Sequence, residues 1–147
     1  MEHSLKINKY DDFYMSVAKL VADLSYALIK KVGCVMVAEN RIISYGFNGM
    51  PSGFDNLCEI IIIGGSMTTK HEVLHAESNA ISKCAKSTES TQGASLYTTL
   101  SPCLECSKLI IQCGIIEVHY FEDYRDTEGL VLLRKANIKI IKHEKSF

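Results

Sequence analysis

Two short stretches of the chain concentrate side chains that bind metal ions, and they constrain the fold more than any other feature. The first is His75-Ala76-Glu77 and the second is Pro102-Cys103-Leu104-Glu105-Cys106, with 24 residues between them. Thiolates and imidazole nitrogens are the ligands that zinc prefers in proteins. A fold that uses both stretches must bring two elements that are distant along the chain to one point.

The spacing of the two cysteines suits one metal ion at the start of a helix. Ser101 is predicted as the N-cap, Pro102 as the first helical residue and Gly114 as the residue that ends the helix. Residues three apart leave the same helix face, and the helix N-terminus lowers thiol pKa values. With His75, the cysteines supply three ligands and leave a fourth position for water, which is typical of catalytic zinc.

Glu77 follows His75 by two residues, so the two side chains would point about 200° apart in the middle of a helix. The motif is therefore predicted to lie at a junction between a loop and a helix. There Glu77 can take a proton from a water that the metal activates and pass it to a substrate, as a general acid and base.

Other interpretations of these residues stay open at this point. The C-x-x-C pair occurs in structural Cys₄ zinc sites and in redox dithiols. The stretch from His71 to His75 matches the H-E-x-x-H of zinc metalloproteases, although Ser78 and Ile81 replace the Gly and His of one protease class. A zinc-binding module without catalysis is a further class, and it is expected to lack Glu77. The remaining cysteines Cys34, Cys84 and Cys113 are expected to fill core space.

The alternation of strands and helices predicts the fold class. An apolar residue every three or four positions predicts an amphipathic helix from Tyr10 to Leu28. Its apolar positions are Phe13, Val17, Leu20, Val21, Leu24 and Leu28. Further helices are predicted at 72–85, 102–113 and 127–135, and strands at 32–38, 41–45, 96–99, 115–121 and 138–141. The pattern, which opens with a hairpin, predicts a three-layer α/β/α sandwich with a mixed five-stranded sheet.

Length and charge narrow the function classes. A chain of 147 residues suits a single domain, 1–147, with a well-formed core. Sixteen Lys and Arg balance seventeen Asp and Glu, and this argues against polynucleotide binding, which uses clustered positive charge. No apolar run reaches the ~18 residues of a membrane span, and the N-terminus has no signal sequence. We expect a cytoplasmic protein with reduced cysteines, or one in the host cytoplasm if the source is viral or phage.

The two metal-binding stretches also match the H-x-E and P-C-x-x-C signature of zinc deaminases. The chain resembles the cytidine deaminase-like zinc enzymes and, among them, the deoxycytidylate (dCMP) deaminases. The stretches that carry the resemblance are Val32-Gly33, Arg41 to Gly53, His75 to Ile81, Leu96 to Cys106 and Tyr124 to Ile140. The N-G-x-P-x-G loop that begins at Asn48 separates this branch from tRNA adenosine deaminases and cytosine deaminases.

The resemblance implies a reaction and a set of residues. It implies that His75, Cys103 and Cys106 hold a zinc ion, which supports attack of hydroxide on C4 of cytosine. Glu77 is expected to act as the proton shuttle. The expected product is dUMP, which supplies thymidylate synthesis. Deamination of dCTP, or of another cytosine nucleotide or nucleoside, is the alternative. Asn48 is expected to bond the deoxyribose 3′-hydroxyl, or else to be only a turn asparagine. Further substrate contacts are expected from Tyr124, Lys31 and Ser101.

The resemblance also implies regulation and assembly. Relatives are commonly homohexamers that dCTP activates and dTTP inhibits, with Mg²⁺ accompanying the triphosphate. Effector contacts are expected at a loop whose residues are Gly46, Phe47, Gly49, Met50 and Pro51. No structure is assigned to 57–70, whose apolar part at 57–63 is a possible subunit contact. A second zinc is not expected, since only Cys58 and His71 stand where some relatives have a structural site.

Overall fold

Four helices and seven strands form the described part of the computed structural model, which covers the backbone of residues 2–144 and the side chains of residues 9–144. The helices are α1 (Glu2–Ala22), α2 (Ala76–Ala85), α3 (Leu104–Gln112) and α4 (Glu128–Lys135). The strands are β1 (Gly33–Ala38), β2 (Arg41–Phe47), β3 (Glu59–Ile61), β4 (Met67–Thr69), β5 (Ser95–Leu100), β6 (Glu117–Glu122) and β7 (Lys139–Lys142). None of the described helices is both long and apolar enough to cross a membrane.

Five of the strands form one mixed sheet in the order β2-β1-β5-β6-β7. β1 is antiparallel to both of its neighbours, whereas β5, β6 and β7 are parallel. Helices α3 and α4 connect the parallel strands, as such crossovers require. The predicted hairpin joins β1 to β2 through Glu39 and Asn40, whose positive φ values of 52° and 57° are typical of a two-residue turn.

Alternate residues of β1 face two separate cores, because successive side chains of a strand point to opposite faces. Val35 and Val37 pack under α1, whereas Cys34 and Met36 pack against the helices of the other face. That second core includes residues of α2, α3 and α4, and it holds Cys84 as well. The predicted α/β/α sandwich with a mixed five-stranded sheet is confirmed.

Helix α1 packs on the sheet through a different stripe from the one its sequence suggests. Of the six apolar positions predicted for this helix, only Val21 is buried, and Phe13 and Leu20 are 55% and 67% exposed. The residues nearest the sheet include Ala18 and Ala22, which are small because β1 passes very close at Gly33. A Cβ atom at Gly33 would lie 2.3 Å from the Ala18 carbonyl oxygen and 2.3 Å from the Ala22 nitrogen.

The predicted end of this helix at Leu28 is wrong, since α1 ends at Ala22. Side chains bind the backbone groups that a longer helix would have paired internally. The Ser25 hydroxyl accepts a hydrogen bond from the backbone N–H of Ala27. The buried Glu59 carboxylate accepts hydrogen bonds from the backbone N–H groups of Leu28 and Ile29, at 2.9 and 3.2 Å.

Three predicted helix starts are also wrong. Helix α1 begins at Glu2 rather than at Tyr10. The helix predicted at 72–85 begins at Ala76, with His75 at its N-cap. Helix α3 begins at Leu104, so Cys103 rather than Ser101 occupies its N-cap position. The Ser101 hydroxyl instead accepts a hydrogen bond of 2.7 Å from the backbone N–H of Tyr124.

The segment left without a predicted structure forms a second, two-stranded sheet. β3 and β4 pair in antiparallel register from Glu59 opposite Thr69 to Ile61 opposite Met67. Several isoleucines of this hairpin face solvent, and Ile61 is 75% exposed. The proposed subunit contact at 57–63 stays a prediction.

Gly33→Ala is expected to destabilise the protein, because the new methyl group has no space between β1 and α1. Overpacking of this kind typically costs about 1–3 kcal/mol, and here the obstructing atoms are backbone atoms. Urea unfolding followed by circular dichroism measures the difference from the unmodified chain. Gly49→Ala is the control, since the nearest atom to its Cβ is 3.9 Å away and its φ is not positive. Equal free energies of unfolding for the two variants would contradict this account of how α1 packs.

Candidate functional site

The N-terminal ends of α2 and α3 meet beyond the carboxyl end of β5. His75 immediately precedes α2 and Cys103 immediately precedes α3, and both have extended backbone conformations. Cys106 lies in the first turn of α3 and is buried. The predicted junction between loop and helix is therefore present at His75, and it lets this residue and Glu77 face the same space.

Three of the predicted ligand atoms lie close enough together to hold one metal ion. The Nδ1 atom of His75 is 3.4 Å from the sulfur of Cys103 and 3.3 Å from the sulfur of Cys106. Tetrahedral zinc, with bonds of about 2.3 Å to sulfur and about 2.0–2.1 Å to nitrogen, separates these atoms by about 3.6 Å. The distances and the donor set both fit zinc.

The neighbouring residues do not support the competing interpretations. His71 lies in a turn before α2 and is exposed, whereas the metalloprotease motif requires both histidines on one helix. Within the described part of the chain, the metal-binding group contains His75, Cys103 and Cys106 only. The protease interpretation is therefore wrong, and no further cysteine joins the pair as a structural Cys₄ site would require.

Hydrogen bonds within this group shift the pKa values of its three side chains. The Cys106 thiol donates to Cys103 and thereby lowers the pKa of Cys103 well below the usual value for a thiol. The same hydrogen bond, together with burial, raises the pKa of Cys106. Hydrogen bonding to Cys103 raises the pKa of His75. A lowered pKa favours the thiolate form of Cys103, which is the form that binds a metal.

Glu77 lies beside the metal-binding group without being part of it. Its side chain is only 4% exposed and lines the same cavity as His75 and Cys103. Burial raises the pKa of this carboxyl group, and the positive charge of protonated His75 opposes that shift. A buried carboxyl group with a raised pKa can both accept and return a proton near neutral pH.

A cavity of about 860 Å³ opens above these residues. It lies at the carboxyl ends of β5 and β6, where open α/β sheets bind their ligands, and its size suits a small organic molecule. Its base is formed by His75, Ala76, Glu77 and Cys103, and part of its side by the β3–β4 hairpin and the segment after β6.

Three of the four predicted substrate contacts line this cavity: Asn48, Ser101 and Tyr124. The fourth, Lys31, is exposed and is absent from the lining, to which its neighbour Lys30 contributes.

Asn48 also fixes the backbone around it. Its Nδ2 donates a hydrogen bond of 2.8 Å to the carbonyl oxygen of Lys30, and its Oδ1 accepts one of 2.8 Å from the N–H of Val32. The interpretation as a turn asparagine therefore describes part of what this side chain does. One amide hydrogen remains for a ligand.

The five predicted effector residues lie near the cavity but not in its lining. Gly49 exchanges two backbone hydrogen bonds with Leu74, of 3.1 and 2.8 Å. These bonds tie the loop to the residue that precedes His75. Of the loop at 46–51, only Asn48 contributes to the cavity. Effector contacts at Gly46, Phe47, Gly49, Met50 and Pro51 stay a prediction.

Three cationic side chains line the cavity, Lys30, Lys70 and Arg125, and none of them was predicted from the sequence. Lys30 is paired with Glu122 at 2.6 Å, and Lys70 is 3.7 Å from Asp55. Arg125 forms no ion pair with the residues that the structure describes, and its guanidinium lies 5.6 Å from the ring of Tyr124. Lys70 belongs to the segment without a predicted structure, whereas Arg125 could have been found from its position next to Tyr124.

Comparisons with known proteins agree with this site. The family model described as the cytidine and deoxycytidylate deaminase zinc-binding region matches residues 8–122. The crystal structure of dCMP deaminase from the cyanophage S-TIM5, in complex with dCMP and dUMP, has a TM-score of 0.86 and 41% identity. This match covers 92% of the present chain and 97% of that one.

Two curated relatives are similar over most of the present chain. The deoxycytidylate deaminase of Mus musculus is 41% identical, over 86% of this chain and 72% of its own length. The deoxycytidylate deaminase of Saccharomyces cerevisiae is 37% identical, over 89% of this chain. The present chain spans 44% of the length of the yeast protein.

Proposed function

Since the chain belongs to the cytidine and deoxycytidylate deaminase zinc-binding family, we propose that it catalyses the hydrolytic deamination of dCMP to dUMP and ammonia. The observation that carries this proposal is the position of Glu77, buried beside three converging ligand atoms at the base of a cavity large enough for a nucleotide. The product dUMP would serve thymidylate synthesis. The alternative is deamination of dCTP or of another cytosine nucleotide or nucleoside.

His75, Cys103 and Cys106 would hold one zinc ion per chain. The extended conformation at both N-cap positions turns these ligands toward each other, and the two sulfurs can together balance the charge of the ion. Bound zinc would act as a Lewis acid that makes a water molecule nucleophilic at neutral pH. Three protein ligands leave room for that water, which is the arrangement of a catalytic site.

Glu77 would move the protons of the reaction. Its carboxylate would accept a proton from the attacking water and deliver it to N3 of cytosine. It would then move the proton of the new C4 hydroxyl to the amino group, which leaves as ammonia. Burial raises the pKa of Glu77, and this favours the protonated form that each proton delivery requires. The exclusion of solvent from this carboxyl group also keeps competing water away from the proton path.

The remaining lining residues would position the nucleotide. Asn48 has an amide hydrogen free to bond a sugar hydroxyl, and Ser101 holds the backbone of Tyr124 at the cavity. Arg125 and Lys70 supply positive charge where a 5′-phosphate can reach it. The unpaired guanidinium of Arg125 and the weakly paired ammonium of Lys70 together match the charge of a monophosphate better than the larger charge of a triphosphate. This match favours dCMP over dCTP as the substrate.

The wider setting of the enzyme follows from the resemblance to relatives. We propose a cytoplasmic homo-oligomer, a hexamer in the common case, with activation by dCTP, inhibition by dTTP and Mg²⁺ bound with the triphosphate. The loop at 46–51 would take part, because its hydrogen bonds to Leu74 connect it to His75.

The reaction is tested by the loss of cytosine absorbance with zinc-loaded protein and deoxycytidine, dCMP or dCTP, each with and without dTTP and Mg²⁺. We expect turnover of dCMP and suppression by dTTP. Turnover of dCTP but not dCMP would replace the substrate in this proposal. Absence of turnover with all three, in protein with one zinc per chain, would overturn it.

Cys103→Ala is expected to lose zinc, because it removes the ligand with the most thiolate character. Elemental analysis of the purified protein should give about one zinc per chain before the change and far less after it. Cys113→Ala is the matched control, since Cys113 lies at the opposite end of α3 and outside the metal-binding group. Full zinc content in the Cys103 variant would place the metal elsewhere.

Glu77→Gln is expected to retain zinc and fold but to lower kcat by about 10²–10⁴-fold, the usual contribution of general acid-base catalysis. The amide fills the same space and cannot carry the proton. Steady-state kinetics with dCMP, together with zinc content and the thermal unfolding midpoint, separate loss of chemistry from loss of structure. Near-normal kcat would refute the role as proton shuttle.

Arg125→Ala is expected to lower kcat/KM for dCMP by at least tenfold, mainly through KM, and to leave any activity on deoxycytidine unchanged. The difference arises because only the nucleotide carries a phosphate. Lys86→Ala is the control, since Lys86 is exposed and outside the cavity lining. Lys31→Ala, measured alongside, decides whether the substrate contact expected at this lysine is a phosphate contact. Equal losses on both substrates would contradict a phosphate contact at Arg125.

A further inference from the structure

The segment between α1 and β1, residues 23–32, holds Asn48 in place. The Ser25 hydroxyl donates a hydrogen bond of 2.8 Å to the Asn48 carbonyl oxygen, and the Asn48 N–H donates one of 3.2 Å to the Val32 carbonyl oxygen. The side-chain amide adds its two bonds, to the Lys30 carbonyl oxygen and from the Val32 N–H. Together these hydrogen bonds fix the orientation of the Asn48 amide, which lines the cavity.

Glu59 anchors this segment from the side of the β3–β4 hairpin. Its side chain is buried, and its Oε2 atom accepts both of the hydrogen bonds from the N–H groups of Leu28 and Ile29. Hydrogen bonds from N–H groups to a carboxylate are stronger than those to a neutral acceptor. Because these two residues immediately precede Lys30, the carboxylate holds the backbone that brings the Lys30 carbonyl group to Asn48.

The second oxygen of this carboxylate is unsatisfied. The Oε1 atom of Glu59 is buried and has no hydrogen-bond partner among the residues that the structure describes. A buried polar atom without a partner lowers stability, and it calls for a role of the residue other than packing. The bonds that Oε2 accepts are the contribution that an apolar residue at this position could not replace.

Glu59 also connects two sides of the cavity. Its backbone pairs with Thr69 within the β3–β4 hairpin, and Thr69 lines one side. Its carboxylate holds the segment that contains Ile29 and Lys30, which line another side. Glu59 itself is absent from the cavity lining, so any effect on a bound molecule must pass through the residues that it holds.

We propose that Glu59 is a positioning residue for recognition of the sugar. Through residues 28–30 it holds the Asn48 amide in the orientation that bonds the 3′-hydroxyl of the deoxynucleotide. The proposal rests on the proposed function, in which Asn48 bonds a sugar hydroxyl. Glu59 contacts neither the metal-binding group nor the substrate, so its loss weakens binding of the 3′-hydroxyl and leaves the chemistry at C4 unchanged.

The preference for dCMP over 2′,3′-dideoxycytidine 5′-monophosphate, which lacks the 3′-hydroxyl, measures this role. In the zinc-loaded wild-type chain, kcat/KM should be higher for dCMP by about tenfold or more, and Asn48→Ala should lose this preference. The Glu59→Met side chain fills the same space but accepts no bond from the N–H groups. In this variant the preference should fall by about threefold to tenfold through KM for dCMP, with kcat within about twofold of the wild-type value.

Two further variants separate positioning from a general loss of structure. Glu59→Gln should keep most of the preference, because its amide oxygen can accept the bonds from Leu28 and Ile29. The double variant Asn48→Ala/Glu59→Met should have no lower preference than Asn48→Ala alone, since Glu59 acts through Asn48 and the two effects are not additive.

Asp11→Leu is the matched control, because Asp11 is another buried carboxylate that accepts a hydrogen bond. It is 7% exposed, its partner is the Tyr97 hydroxyl at 2.6 Å, and it lies outside the cavity lining. This variant should lower the free energy of unfolding in urea and leave the preference for dCMP unchanged. The same unfolding measurement verifies that Glu59→Met folds.

An unchanged preference in folded Glu59→Met, or equal losses of kcat/KM on the two nucleotides, would overturn the proposal. A Glu59→Gln variant as impaired as Glu59→Met would also overturn it. If Glu59→Met does not fold, Glu59→Asp replaces it, since its carboxylate is one methylene group shorter and the preference should again fall; an unchanged preference there has the same meaning.

The outcomes for the wild-type chain distinguish this proposal from the proposed function. Turnover of dCMP without preference over the dideoxy analogue would overturn the role of Glu59 and leave the deaminase assignment intact. Absence of dCMP turnover in protein with one zinc per chain would overturn both.

Discussion

The contact between the His75 imidazole and the sulfurs of Cys103 and Cys106 is the constraint on which the rest of the site depends. Two sulfur–nitrogen distances of 3.4 and 3.3 Å require the N-termini of α2 and α3 to meet at one point. A helix N-terminus favours negative charge, so it stabilises the thiolate at Cys103 before a metal arrives. The same point lies at the end of β5, and this places the cavity beside the parallel strands.

The position of α2 over the sheet depends on close backbone approach at Gly46. A Cβ atom at this residue would lie 2.4 Å from the carbonyl oxygen of Ala76 and 2.6 Å from the nitrogen of Ala80. Any side chain there would push α2 away from β2, and with it His75 and Glu77. Gly46 was predicted as part of an effector loop, and its contacts give it a structural role that holds whether or not effectors bind nearby.

Much of the site could be predicted from sequence because its chemistry is local. The spacing of His75, Cys103 and Cys106 predicts a metal-binding group, with the carboxyl group of Glu77 beside it. The two-residue separation of His75 and Glu77 predicts the junction between loop and helix that the structure has before α2. The helix starts were predicted less accurately. Ser101 and Pro102 are favourable residues for the start of a helix, although the structure begins α3 at Leu104. The β3–β4 hairpin was not predicted because its exposed isoleucines give no pattern of buried and exposed positions. Its contribution of Lys70 to the cavity was missed for the same reason.

The outward stripe of α1 shows how hydrophobic periodicity can indicate the wrong face. The repeat of Phe13, Leu20 and Leu24 gives the stronger pattern, yet the sheet selects Ala18 and Ala22 because β1 approaches the helix closely at Gly33. A helix that lies close to a sheet needs small residues at the contact. Small residues contribute little to a pattern that is based on hydrophobicity. A helix with small residues inside and large apolar residues outside is stable in its own domain but leaves apolar surface in water.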